Sequence, residues 1–82
     1  MNANEMFFKL VNGKVNSLTV EETVCSSVSR ITTFVPEDNF HFKVTIVTTI
    51  DNITDSKEII ADRGLTLCLL KLAADVAKSV NY

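Results

Sequence analysis

The chain has 82 residues, 46% of them hydrophobic and 22% charged, with a formal net charge of −2. That length makes one small domain, residues 1–82, with a thin core, and the composition excludes intrinsic disorder, which needs low hydrophobicity and high net charge. Eight basic residues are interspersed among ten acidic ones, and so argue against a protein devoted to the phosphate backbone.

Mean hydropathy is +0.21, high for a domain with so much surface to cover. Part of the apolar material is therefore expected in an interface, with a second copy or with another protein. Cys25 and Cys68 form no metal-ligand spacing and no CxxC pair. The start Met-Asn-Ala-Asn-Glu has no basic and apolar leader pattern, and no apolar run is long enough for a bilayer. The expectation is a cytoplasmic protein with reduced thiols, no membrane contact, no metal and no cofactor.

In chain order, Met6 to Val11 is strand-like and is followed by Asn12-Gly13, a favoured type I′ pair. A short hairpin returning over Lys14–Ser17 is expected. From residue 19 to 34 the apolar positions Val20, Val24, Cys25, Val28, Ile31 and Phe34 recur at intervals of about three and four. Thr19 and Glu22 complete a capping box, and the spacing predicts a helix. The interior, rich in Thr, Val, Ser and Ile, favours a strand instead, and the period is given precedence. Pro36–Asn39 is a turn. Phe40–Ile50 alternates as a strand with one covered and one wet face. Phe40, Phe42, Val44 and Ile46 point to one side; His41, Lys43 and Thr45 point to the other. Asp51-Asn52 marks a turn, and Lys57–Ala61 is a short returning strand.

Leu65 to Val80 reads as the last helix, capped by Thr66, with Leu65, Leu69, Leu72, Val76 and Val80 on one stripe. Leu67, Leu70, Ala73, Ala74 and Ala77 widen the apolar arc beyond what one sheet face needs. The expected fold is α+β, a two-layer sandwich of ββαββα order. About four antiparallel strands carry one or two helices on one face. In element order alone, a helix, strands and a C-terminal helix over Thr19–Val80 resemble a double-stranded RNA-binding domain. That family grips phosphates with lysines at the start of its last helix. Here that segment offers Lys71 alone, so the resemblance implies order and no function.

Catalytic groups are sparse. His41 is the sole histidine and reads as a surface residue of the sheet. Asp51, Asp55, Glu58 and Asp62 surround Lys57, but the spacing lacks the glycine and the ligand alternation of a calcium loop. The glycines are isolated, so no phosphate-cradling loop is present. The expectation is a non-enzymatic interaction or regulatory protein, of the kind phages and mobile elements encode as accessory factors. It would act through protein contacts on the last helix at Leu67, Leu70, Lys71 and Ala74, in the simplest case as a homodimer. The alternative is nucleic-acid binding by the polar sheet face at His41, Lys43 and Thr45, which lacks the aromatics that stack on bases.

Overall fold

The computed structural model describes residues 3–74 and 77–81, with side chains described for residues 3–73. The elements are α1 (Ala3–Val11), β1 (Leu18–Cys25), β2 (Val28–Pro36), β3 (His41–Ile50), β4 (Ile53–Asp62), α2 (Arg63–Ala74) and β5 (Ala77–Asn81). The five strands form one antiparallel sheet in the order β4-β3-β2-β1-β5. The α+β class stands, while the ββαββα order does not: a helix precedes the strands and four consecutive strands follow it.

The N-terminal segment is α1 rather than a hairpin. Ala3, Met6 and Leu10 are buried, and their spacing of three and four is a helix stripe that a hairpin would split between two faces. Asn12-Gly13 ends this helix instead of turning a hairpin. Gly13 has φ +71°, its N–H donates to the Leu10 carbonyl at 3.3 Å, and the Lys14 N–H donates to the Lys9 carbonyl at 3.0 Å. Those two bonds close a Schellman cap, which uses the same left-handed glycine that a type I′ turn uses.

Residues 19–34 form two strands and the turn between them, not a helix. Half of residues 18–35 are β-branched, and such side chains lose freedom on a helix but pack well on a pleated sheet. Leu18, Val20 and Glu22 on β1 lie opposite Phe34, Thr32 and Arg30 on β2, all toward the helices. The period-three pattern in this segment arises from two strands read through their turn.

β3 occupies its expected range, less Phe40, which lies outside the strand and is exposed. Its turn into β4 is at Asp51 and Asn52, both at positive φ, the two-residue type I′ geometry. β4 is ten residues long, twice the expected strand, because it pairs in unbroken register with all of β3. The last helix starts at Arg63, two residues earlier than expected. Asp62, not Thr66, caps it, accepting from the Leu65 N–H at 2.8 Å. α2 stops at Ala74, and residues 77–81 return as β5 beside β1. Asp75 and Val76 lie outside the described residues.

The core lies between one sheet face and the two helices. Leu18, Val20, Phe34, Phe42, Val44 and Ala61 meet Met6, Leu10, Leu70 and Ala73 there. Phe7 of α1 adds a tilted ring contact to Phe42, with centroids 6.1 Å apart. No helix among the described residues is long and apolar enough to cross a membrane.

Candidate functional site

The rotation of α2 decides which side chains it offers. Thr66, Leu70 and Ala73, spaced four and three apart, face the sheet and are buried. Leu65 and Leu72 are exposed with Cys68 between them, spaced three and four apart on the outward side. This helix carries leucine all round, so periodicity alone could not set its phase. The start at the Asp62 cap, directly off β4, sets it. Leu70 is therefore a core residue with no exposed surface, not a contact residue. Leu67 is half-buried and Lys71 is exposed. The Ala74 side chain lies outside the described residues.

Beneath the second half of α2 is a cleft of about 100 Å³ lined by Leu69, Leu72, Ala73, Ile46, Thr32 and the pair Glu22–Arg30. The pair arises from strand register, since Glu22 lies directly opposite Arg30. The Arg30 guanidinium donates twice to the carboxylate, Nε to Oε1 at 3.0 Å and Nη2 to Oε2 at 2.6 Å. The Glu22 side chain is 1% exposed and that of Arg30 43%. Hydrogen bonding to Glu22 raises the Arg30 pKa above its already high usual value. The cleft is a largely apolar slot with this ion pair in its lining, with room for one aliphatic side chain. A helix over this segment, as its period suggests, would not bring the two residues together. The signal was present: 22 and 30 are equidistant from residue 26, and a hairpin turning there places them opposite.

The other sheet face carries His41, Lys43 and Thr45, on the side expected. Across the strands it reads Val35–Lys43–Ile60, Thr19–Thr33–Thr45–Glu58 and Glu21–Ile31–Val47–Ser56. Lys43 shares the face with Glu21 and Glu58, and its Nζ lies 3.9 Å from Glu37. His41 is occupied with the β2–β3 turn, its Nδ1 3.1 Å from the Asp38 carboxylate. The Phe40 amide, the His41 side chain and the His41 amide hold the Asp38 pKa below its usual value. The groups that would have met phosphate are thus engaged with carboxylates.

Cys25 is exposed at the tip of the β1–β2 hairpin, its Sγ 3.7 Å from the Ser27 hydroxyl. Hydrogen bonds from the Ser27 amide, the Ser27 hydroxyl and the Val28 amide lower its pKa, since each favours the thiolate. Phe40 lies under the Arg63 guanidinium, 5.4 Å from its ring centroid, and Arg63 Nε donates to the Asn39 carbonyl at 2.8 Å. These contacts fasten the β2–β3 turn to the start of α2. No family model, curated protein or solved structure matches this chain.

Proposed function

We propose that this protein is a non-enzymatic binding module that acts by protein–protein contact through the outer face of α2. The observation that carries this reading is the stripe Leu65–Cys68–Leu72. Leu72 is 68% exposed at the lip of the Glu22–Arg30 cleft. A partner that covers this stripe gains aliphatic burial of roughly 1.5–3 kcal/mol per leucine-sized side chain, and can seat one side chain in the cleft. The doubly hydrogen-bonded ion pair in its lining gives that seat a preferred geometry.

Leu65→Glu with Leu72→Glu is the test, because both positions are exposed and lie outside the buried core. Affinity capture with the wild-type chain is expected to return a stoichiometric protein that the double variant loses. Equal recovery by both, with the far-ultraviolet circular dichroism unchanged, rules the α2 surface out. The second reading, nucleic-acid binding by the sheet face, rests on Lys43 and His41. It predicts salt-sensitive retention of RNA or DNA that Lys43→Ala weakens.

A further inference from the structure

We infer that the protein pairs with a second copy of itself through the free edge of β4, joining two five-stranded sheets about a two-fold axis at Ser56. The sheet has two edges. The β5 edge strand spans five residues, whereas β4 spans ten, in unbroken register and with no bulge against β3. Nearly all its side chains are exposed from Ile53 to Glu58. A long regular edge presents a row of unpaired N–H and C=O groups, a template for another strand.

The turn fixes which groups are free. A two-residue type I′ turn at Asp51-Asn52 closes on the hydrogen-bonded pair Ile50–Ile53. Antiparallel alternation then directs the backbone groups of residues 53, 55, 57, 59 and 61 toward β3. Those of Thr54, Ser56, Glu58 and Ile60 point outward. An antiparallel partner must bond to this second set.

The side chains choose the register. With Ser56 opposite its own copy, Thr54 bonds to Glu58 of the second copy, and the backbone sets match. The flanking pairs become Asp55 with Lys57 and Lys57 with Asp55, in the closely spaced non-hydrogen-bonded positions where side chains interact most. Beyond them Ile53, 75% exposed, lies opposite Ile59, which is packed against the partner's core. Sliding one step either way puts Asp55 opposite Asp55 or Lys57 opposite Lys57, and one further step in the second direction puts Glu58 opposite Glu58. An edge lysine normally keeps sheets apart. Here the same lysine is answered by an aspartate two residues away, so the edge is complementary to itself. An isologous pairing of this kind closes at two copies and leaves β4 no longer an edge.

This surface is separate from the α2 stripe, and the two readings fail independently. At micromolar concentration, sedimentation equilibrium of the intact chain is expected to give twice the 9.1 kDa chain mass. Asp55→Lys and Lys57→Asp each place like charges opposite, and each is expected to weaken the dimer roughly tenfold or more. Mixing the two single variants in equal amounts restores both opposite-charge pairs, so a mixed dimer of near wild-type affinity is expected. Ser56→Pro removes the outward N–H at the axis and is expected to leave a folded monomer, since that N–H points away from β3 and takes no part in the β3–β4 ladder. A wild-type chain that remains monomeric overturns the inference. So does a dimer indifferent to both charge variants, or one dissociated by Leu65→Glu/Leu72→Glu and untouched by Asp55→Lys.

Discussion

The sheet has two ends that use the same residue types and are held in different ways. At the near end Leu18, Phe34, Phe42, Val44 and Ala61 are sealed under α1 and α2. At the far end, by the hairpin tips, Val24, Ile50 and Ile53 are exposed. What holds the far end is pairing and turn chemistry. The Thr49 and Thr54 hydroxyls lie 3.2 Å apart, and the Asp51 N–H reaches the Ser27 carbonyl at 3.0 Å, linking the two hairpin tips. The Glu22–Arg30 bridge marks the boundary between the ends. Strand length in this protein is therefore set by β-branched residues and in-register turns, while the core sets where the helices sit. The surplus of strand over core is what leaves β4 a ten-residue edge.

The contrast can be broken first at its strong end. Phe34→Ala removes a fully buried ring between the helices and the sheet, and about 3–5 kcal/mol of stability is expected to go with it in urea melts. Next comes the boundary. Arg30→Ala strands the buried Glu22 carboxylate. A loss of about 2 kcal/mol is expected, less than for a fully buried pair because water enters the space Arg30 leaves. Thr66→Val sharpens the near end in the opposite direction. The Thr66 hydroxyl is buried with no hydrogen-bond partner among the described residues, so an apolar group of the same shape is expected to stabilise by about 1 kcal/mol. The smallest effect belongs to the far end. Ile53→Thr, measured in the Ser56→Pro background so that pairing does not contribute, is expected to change stability by under about 0.5 kcal/mol. A large loss there would show that the far end has a core of its own.

Much of the middle of the chain was legible from residues alone. Alternation over 40–50 located β3 and assigned His41, Lys43 and Thr45 to the open face, since period two maps directly onto the two faces of a sheet. Asp51-Asn52 declared its turn by chemistry that acts within a few residues, and so did Pro36–Asn39, although Pro36 itself ends β2 and the turn lies one residue on, over 37–40. Three signals were ambiguous because one local chemistry serves two structures. Asn12-Gly13 satisfies a type I′ turn and a Schellman cap alike, since each needs the left-handed conformation at glycine. Thr19 and Glu22 can form a capping box or sit on one strand. Leucine on every side of residues 65–72 makes a helix but gives it no phase.

The α+β class, the wet and covered faces of β3, the two central turns and the presence of α2 can all be read along the chain. These follow from short-range chemistry and from periods the chain displays unaided. Long-range packing makes residues 18–35 pair as a hairpin, which costs the helix stripe but buries Leu18, Val20 and Phe34 in the same core as α1. It also decided which way α2 faces: Leu70 went inward and Leu72 outward because the helix begins at a cap fixed by the end of β4. Whether a side chain is core or contact depends on what lies across from it, and that neighbour is distant along the chain.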